Sequence, residues 1–351
     1  MSTWLIYALG GGWGHLTRSL SLGRMATRYH NVKILTNSPY ATYLRGEDCD
    51  VQIIAPDAGF GATCEQVRDV LLNTRYDCLI VDTFPRGLGG ELADILPQLK
   101  HIPRILIHRD ISPVYIHRFA LRSFVKENFD AIIVPGEGED SLLADLPIVR
   151  YTSPWLIRNA EELPDRMKAR SLLGFDALCH KPGNCKSQLY KQSPPAGVRK
   201  KIILVCAAGQ ASELSFFSQL STYLNAAFPD AAVRVLAPVC PDGCPPQLWV
   251  SHSPGIECLL AADVVVGGAG YNTVYECAAV GVPLVAFAFK RLYDRQKVRA
   301  LRCAYCVEEI EDAIATVAML QNQVSSRPLD YRPLDYPNGA VEAVRLIEQF
   351  T

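Results

Sequence analysis

The chain has 351 residues, 49% of them hydrophobic, and a formal net charge of −1. This length exceeds what one ordinary core holds and predicts two domains of roughly 150 residues each. A net charge near zero gives no general attraction to a polyanion, so a nucleic acid is excluded as an expected partner.

The start of the chain and its cysteine content indicate a cytoplasmic protein. The N-terminus leads into an apolar run at residues 4–9 without a basic segment before it, which disfavours a cleaved secretory signal. The 12 cysteines are therefore expected to be reduced and mostly buried. The longest apolar stretch, residues 278–289, is too short to span a membrane and contains Gly281 and Pro283.

Short runs rich in valine, isoleucine and leucine alternate with helical patterns along most of the chain. Such alternation predicts an α/β fold built on parallel sheets. In the first half, the expected strands are residues 4–9, 32–35, 51–54, 78–81, 104–107, 131–134 and 148–151. In the second half, they are residues 201–206, 232–236, 256–258, 263–266, 283–287 and 304–307.

A change of composition separates the two halves. Residues 175–200 are rich in lysine, proline and glycine, which is typical of a linker or a surface loop. A helical pattern over residues 159–173 begins this connection. We therefore predict an N-terminal domain at residues 1–158, a linker or insertion at 159–200, and a C-terminal domain at 201–337.

The first expected strand runs into a glycine-rich junction with a helix after it. The junction reads Gly-Gly-Gly-Trp-Gly-His-Leu-Thr-Arg over residues 10–18, and it aims unpaired backbone N–H groups at the space above the strand end. His15 should stand at the mouth of the helix, where a neutral imidazole can act as a general base. The alternative is a histidine that is hydrogen-bonded within the structure. Arg18 is expected to be an anchor or a phosphate contact.

A further glycine-rich loop, residues 83–91, follows the strand at 78–81 and contains Arg86 and Gly87. It should lie on the same face as His15 and form a wall for an acceptor, although an ordinary strand–helix loop is an equally open interpretation. The basic stretch at 117–126 could lie on an anionic membrane surface. Packing of its apolar residues in the core, with its bases in solvent, is the favoured interpretation.

The strongest junction of the second half reads Gly-Gly-Ala-Gly-Tyr-Asn-Thr-Val-Tyr-Glu over residues 267–276. Its glycines let the backbone approach a ligand, and the following helix would point its N-terminus at a phosphate, with Asn272 and Thr273 as further donors. Glu276 could accept both hydroxyls of a ribose. The alternative is that the glycines only serve packing and that Glu276 is solvated.

Cofactor and metal signatures are weak. The glycines at residues 10–14 have neither the spacing of a dinucleotide fingerprint nor the lysine of a P-loop, which disfavours a nicotinamide cofactor. The cysteine pairs at 240–244 and 303–306 are scattered, so structural zinc is disfavoured. No cofactor is expected.

The glycine-histidine junction at 10–18, the junction at 267–276 and the Asp-Arg-Gln at 294–296 together resemble nucleotide-sugar glycosyltransferases of the GT-B fold. The resemblance is to the MurG group (N-acetylglucosaminyltransferases of peptidoglycan synthesis) and its less-characterised relatives, over residues 4–20 and 261–300. It implies two Rossmann-like domains whose parallel sheets face a central cleft. It also implies that the final segment, 338–351, packs back towards the N-terminal domain.

The resemblance implies an inverting, metal-independent transfer of a sugar from a UDP-sugar to a hydroxyl acceptor, with the donor on the C-terminal domain. His15 would be the catalytic base, with Asp82 and Asp110 as alternative carboxylates. The acceptor side would include Gly12, Gly14, Arg18, Arg86 and Gly87. The donor would be bound by Gly209, Gln210, Gly268, Ala269, Gly270, Asn272, Thr273, Glu276, Asp294, Arg295 and Gln296.

Two further functions stay open from the sequence. One is a nucleotide-sugar hydrolase on the same fold, and the other is a non-catalytic binder of sugar nucleotides, since residues 205–211 match the phosphate loop of the group only at Gly209 and Gln210. A lipid-linked acceptor and a small-molecule acceptor are both compatible with the resemblance. A lipid-linked acceptor would imply a peripheral contact with the inner membrane face.

Overall fold

The structure is a computed structural model. It describes residues 1–44, 49–109, 111–137, 142–175, 200–209, 211–291, 294–323, 328, 330–331 and 335–351. Asp110 and Gln210, two of the expected site residues, lie outside the described residues. Most of the predicted 175–200 insertion and part of the C-terminal segment before residue 335 also lie outside them.

The first half of the described chain forms a seven-stranded parallel sheet in the order β3-β2-β1-β4-β5-β6-β7. The strands are β1 (Thr3–Tyr7), β2 (Asn31–Thr36), β3 (Asp50–Ile53), β4 (Cys78–Asp82), β5 (Arg104–Ile107), β6 (Ala131–Pro135) and β7 (Val149–Thr152). The chain therefore starts in the middle of the sheet, and the strand order reverses between β1 and β4.

The second half repeats the arrangement. Over its described residues, a six-stranded parallel sheet has the order β10-β9-β8-β11-β12-β13. Its strands are β8 (Ile202–Cys206), β9 (Ala232–Leu236), β10 (Trp249–Val250), β11 (Val264–Gly268), β12 (Leu284–Phe287) and β13 (Tyr305–Val307). The order reverses between β8 and β11. The predicted α/β fold with two parallel sheets is confirmed.

Helices cover both faces of the sheets. They are α1 (Trp13–Ala26), α2 (Phe60–Asn73), α3 (Glu91–Ile95), α4 (Pro113–Arg118), α5 (Leu121–Asn128), α6 (Arg166–Leu172), α7 (Ala211–Ala227), α8 (Ile256–Leu259), α9 (Tyr271–Ala279), α10 (Gln296–Cys303), α11 (Ile310–Gln323) and α12 (Gly339–Ile347). Short 3₁₀ turns occur at Pro39–Tyr43, Leu96–Leu99 and Ala160–Glu162. In the part of the chain that the structure describes, no helix has the length and apolarity needed to cross a membrane.

The strand predicted at 256–258 is wrong, because these residues form α8. Gly255 precedes the helix, and the buried Ile256, Leu259 and Leu260 recur at the three- and four-residue spacing of a helix face. The edge strand β10 was missed because only two residues pair with β9. Such a short segment carries no periodic signal.

Burial on both faces explains the apolar strands. In β1, Trp4 and Ile6 point into one cluster while Leu5 and Tyr7 point into another, as alternation along a strand requires. The first of these clusters continues to Leu204 and other residues of the second sheet, so one apolar core joins the two halves.

The last helix packs on the N-terminal half of the molecule. α12 contacts α1, β6 and β7, and it buries Ala340, Ala343, Val344 and Ile347. The side chain of Asn338 accepts a hydrogen bond from Ala340 N at 3.1 Å and caps the start of the helix.

Candidate functional site

A cavity of about 880 Å³ lies between the carboxyl edges of the two sheets. It is lined on one side by residues 11–15, Thr83, Phe84 and Arg109, and on the other by residues 206–209, 270–273 and Glu276. These segments follow the strands at which each sheet reverses its order, which is where open α/β sheets bind ligands. The volume lies within the range of small-molecule sites.

His15 and Asp82 form a hydrogen-bonded pair in the N-terminal wall. His15 lies in the first turn of α1, and its Nδ1 is 2.5 Å from Oδ2 of Asp82 at the end of β4. Burial lowers the pKa of His15, and the hydrogen bond to Asp82 opposes that shift. Gly10 makes room for the ring, since a Cβ on Gly10 would lie 2.3 Å from Cδ2 of His15.

Arg18 anchors this pair from one helical turn further along α1. Its Nε donates to Oδ1 of Asp82 at 2.7 Å, and its Nη2 donates to Oδ2 at 2.6 Å. Burial would raise the pKa of Asp82, but the charge of Arg18 and the hydrogen bond with His15 hold it far below its ordinary value. Because Asp82 stays ionised, Nδ1 of His15 carries the hydrogen and Nε2 is left as a proton acceptor.

Arg18, expected on the acceptor side, does not line the cavity but is hydrogen-bonded to Asp82. Its side chain has no exposed surface, because the guanidinium is turned into the protein towards Asp82. By contrast, Gly12 and Gly14 line the cavity, and a Cβ on either would meet no heavy atom within 4 Å. Thr83, next to Asp82, has a φ of +71° and donates its amide to Ile107.

Arg86 and Gly87 do not line the cavity, contrary to expectation. The guanidinium of Arg86 lies over the ring of Phe124, 4.2 Å from its centre. Gly87 has a φ of +82°, and the carboxylate of Glu91 packs against its Cα. Glu91 also accepts the amide of Gly89 at 2.8 Å, so the loop closes on this carboxylate instead of offering its amides to the cleft.

Helix α9 begins at the opposite wall. Gly270 is its N-cap, no side chain caps it, and a Cβ on Gly270 would meet open space. The first amides of the helix, with Asn272 and Thr273 in the same turn, therefore open onto the cavity. Gly268 lines the cavity beside them. Ala269 does not, because its buried amide donates to Phe287 O at 2.8 Å within the sheet.

Glu276 lies one turn into α9 and also lines the cavity. It is 9% exposed, and within the described residues its carboxylate makes no hydrogen bond. Burial raises its pKa to about 8, although the charge of Arg158 opposes the shift. A buried carboxyl without a protein partner can accept hydrogen bonds from a ligand, as the expected contact with a ribose requires.

The expected donor residues after β12 have different surroundings. Asp294 lines the cavity, but its Oδ1 already accepts from Arg109 at 2.7 Å and from Arg299 at 2.8 Å. Gln296 lines the cavity, and its Oε1 accepts the amide of Phe289 at 3.1 Å, which fixes its side chain. Arg295 is half-buried just before α10 and does not line the cavity, because its neighbours on either side take the inward positions.

Gly209 lines the cavity next to a carboxylate that the sequence did not single out. A Cβ on Gly209 would lie 2.0 Å from Oε2 of Glu213, in the first turn of α7. Arg291 donates to Glu213 through Nη2 at 2.8 Å. Arg109 was likewise missed, although its position just beyond the expected strand 104–107 is one where ligand-binding residues occur.

The remaining motifs lie outside the cavity. Leu121, Phe124 and Val125 of α5 are buried while Arg122 is exposed and pairs with Asp145, so the favoured packing of this basic stretch is confirmed. Across the described residues, no group of three or more histidine, cysteine, aspartate or glutamate side chains could hold a metal ion.

No protein-family model and no curated protein sequence matches the chain. Among solved structures, it is similar to the Streptomyces sp. SF2575 glycosyltransferase SsfS6 complexed with thymidine diphosphate, at 17% identity and a TM-score of 0.60, over 99% of this chain and 100% of that one. It is similar to Acinetobacter baumannii MurG at 13% identity and a TM-score of 0.56, over 99% and 100%.

A UDP-GlcNAc 2-epimerase from Methanocaldococcus jannaschii also matches, at 11% identity and a TM-score of 0.54, over 99% of both chains. At identities this low, the likeness establishes the fold and not the reaction. The chain has the two-domain α/β fold of the GT-B glycosyltransferases, the MurG structure included.

Proposed function

We propose that the protein is an inverting, metal-independent glycosyltransferase that moves a sugar from a UDP-sugar to a hydroxyl acceptor. One observation carries the proposal: the His15–Asp82 pair and the open N-terminus of α9 face the same cavity from two different sheets. A general base and an anion site on opposite walls are what such a transfer needs.

His15 acts as the base in this proposal. Its Nε2 takes the proton of the acceptor hydroxyl while that oxygen attacks the anomeric carbon of the donor. Asp82 holds the ring through Nδ1 and stabilises the imidazolium that forms. Attack from the face opposite the leaving diphosphate inverts the anomeric centre.

The C-terminal wall holds the donor. The α9 amides and Asn272 and Thr273 bind the diphosphate, and Glu276 accepts hydrogen bonds from the ribose. The helix N-terminus together with guanidinium groups stabilises the departing diphosphate, which removes the need for a metal ion. Trp13, Tyr43 and Phe84 line the opposite wall, so an acceptor with an apolar or aromatic body fits there.

The test is a donor panel. Purified protein is mixed with UDP-sugars and dTDP-sugars, and ligand binding is followed by thermal shift and nucleotide release by a coupled assay. A shift with at least one UDP-sugar, and loss of turnover without loss of binding in His15→Ala, are the expected results. An absence of binding with every nucleotide sugar would refute the proposal. Preferential binding of dTDP-sugars would show that the donor is a dTDP-sugar and not a UDP-sugar.

Hydrolysis of the nucleotide sugar is the second candidate. It is favoured by the similarity to the UDP-GlcNAc 2-epimerase, an enzyme whose name indicates a reaction on the nucleotide sugar itself. Here, His15 would activate water in place of an acceptor hydroxyl. Free sugar formed at the full rate of nucleotide release, with no acceptor added, would support the hydrolase. Nucleotide release that depends on an added acceptor would support the transferase.

A further inference from the structure

We propose that Arg109, which belongs to the N-terminal sheet, contacts the diphosphate of the donor bound at the C-terminal sheet and is therefore a catalytic residue supplied across the cleft. This inference rests on the proposed function. It names the cation that the first half of the molecule contributes to the leaving group.

The first support for the proposal is the position of Arg109. It follows β5 and lines the cavity. Its Nη2 donates to Oδ1 of Asp294 at 2.7 Å, and its guanidinium carbon is 5.5 Å from the centre of the Tyr271 ring. Tyr271 is the first residue of α9, so the cation lies beside the helix N-terminus at which the diphosphate is expected. An isolated bridge between Ile111 and Asp294 draws this segment towards the second sheet.

A donor atom of Arg109, its Nε, is the second support. The residue is 8% exposed, and its Nε is buried with no hydrogen-bond partner in the part of the chain that the structure describes. An unpaired N–H group on a buried guanidinium costs free energy, and a ligand that accepts a hydrogen bond from it removes that cost. Two oxygens of a diphosphate could pair with such a planar group.

The hydrogen bonds to carboxylates are divided unequally between Arg109 and Arg299. Asp294 is shared with Arg299, which also binds Glu137 through Nη2 at 3.0 Å. Glu137 follows β6 of the N-terminal sheet and accepts hydrogen bonds from both Nε and Nη2 of Arg299. Arg299 therefore has both carboxylates and the carbonyl of Ala269 as partners, whereas Arg109, among the described residues, hydrogen-bonds one carboxylate that it shares with Arg299 and interacts with Glu137 only through its charge.

The proposed role of Arg109 belongs to the step in which negative charge develops on the leaving diphosphate. The bond between the anomeric carbon and the diphosphate breaks, and its electron pair goes to the diphosphate oxygen. The acceptor oxygen forms the new bond, and its proton goes to Nε2 of His15. A guanidinium at the diphosphate stabilises the added negative charge, so Arg109 should contribute more to the transition state than to nucleotide binding.

The experiment compares nucleoside and nucleoside diphosphate binding by calorimetry, with uridine, UDP, thymidine and dTDP as probes. Arg109→Gln should weaken UDP or dTDP binding by about tenfold to a hundredfold and leave the nucleoside affinity unchanged. Arg109→Lys keeps the positive charge but loses the planar guanidinium that can donate two parallel hydrogen bonds. Its affinity for UDP or dTDP should lie between that of Arg109→Gln and that of the parent. Arg104→Gln is the matched control, since Arg104 is a buried arginine paired with Asp130 at the other end of the same strand.

Three outcomes overturn the inference. If Arg109→Gln and Arg109→Lys both bind the diphosphate within about twofold of the parent, Arg109 does not contact it. If nucleoside and nucleoside diphosphate lose affinity equally, Arg109 has only a structural role. If the parent itself binds none of the four probes, the proposed function fails and this inference fails with it. If the parent binds UDP or dTDP, failure of the Arg109 inference can be distinguished from failure of the proposed function.

Discussion

Arg18 and His15 bind the same oxygen atom. Nη2 of Arg18 lies 2.6 Å, and Nδ1 of His15 lies 2.5 Å, from Oδ2 of Asp82. The two residues are three positions apart on α1, so both side chains lie on the face that packs towards β4. A permanently charged guanidinium thus keeps Asp82 ionised, and the ionised carboxylate fixes which nitrogen of His15 faces the cavity.

Replacing Asp82 by Asn should impair the chemical step more than donor binding. An amide in place of the carboxylate can present an N–H to His15, which favours the wrong tautomer and removes the charge that stabilises the imidazolium. We expect kcat to fall by about 10²- to 10⁴-fold, with the dissociation constant of the donor nearly unchanged. Steady-state kinetics and calorimetry on the same preparations measure both.

Asp77→Asn is the control for that substitution. Asp77 directly precedes β4, and its carboxylate accepts the amide of Thr3 at 2.8 Å, far from the cavity. The Asp77→Asn variant should retain the kcat of the parent. A normal kcat in Asp82→Asn would exclude the pair from the chemistry.

The pH dependence of kcat/KM should report His15. The base must be unprotonated, so activity is lost as pH falls through the pKa of His15. Burial lowers this pKa below the ordinary value of 6.5, and the charges of Arg18 and Arg109 act in the same direction against the opposing effect of Asp82. The acid limb of the profile should therefore have its midpoint below pH 6.5.

Arg109→Gln should move that midpoint upwards, since it removes one of the charges that lower the pKa of His15. A pH–rate profile between about pH 4.5 and 8 checks both expectations. A midpoint above 6.5 in the parent would show that His15 is not the titrating base.

The parts of the site that the sequence predicted are those with a local signal. Gly12, Gly14 and His15 lie within one strand–helix junction, and Gly270 and Glu276 lie within another. Each junction forms because apolar residues build a strand and glycines permit the turn that follows. The backbone N–H groups at the start of each helix point into the space above the strand end, and this direction is set by the junction alone.

The contacts within the site that the sequence did not predict depend on which strands are neighbours. Asp82 lies 64 positions from Arg18 in the chain, and they meet because β1 pairs with β4. The contact between Arg109 and Asp294 joins two sheets, so no periodicity within either segment reports it. Ala269 shows the opposite error, since a sheet hydrogen bond occupies an amide that a local motif would offer to the ligand.

Replacing Glu276 by Gln should stabilise the protein at alkaline pH and weaken nucleotide binding. Burial raises the folded-state pKa of Glu276 from 4.5 to about 8. Between these values, the folded state holds a proton that the unfolded state releases, so the parent loses stability as pH rises. Each unit of difference between the folded-state and unfolded-state pKa corresponds to roughly 1.4 kcal/mol of stability. Glutamine does not titrate, so the variant does not lose this stability as pH rises.

Denaturant unfolding at pH 6 and pH 8.5 measures this effect. The stability difference between Glu276→Gln and the parent should increase towards the higher pH. Glu127→Gln, on the exposed side of α5, should show no such trend. If Glu276→Gln binds uridine and UDP as tightly as the parent does, the proposed ribose contact is wrong.

Gly339 and Gly270, at the starts of α12 and α9, offer a pair of alanine substitutions that separate folding from binding. A Cβ on Gly339 would lie 1.7 Å from the backbone oxygen of Ser153, away from the cavity, whereas a Cβ on Gly270 would meet no heavy atom within 4 Å. The backbone of Gly270, with φ −68° and ψ 154°, also suits alanine. Gly270→Ala should therefore change the unfolding free energy by less than about 1 kcal/mol.

The same methyl group would project into the space assigned to the diphosphate. Gly270→Ala should weaken UDP binding by about tenfold while uridine binding stays within about twofold of the parent. Gly339→Ala should show the reverse pattern, with a lowered Tm and, in the folded fraction, an unchanged ratio of UDP to uridine affinity. Thermal melts and calorimetry on both variants decide the matter. Parent-like UDP binding by a folded Gly270→Ala variant would remove the N-terminus of α9 from the donor site.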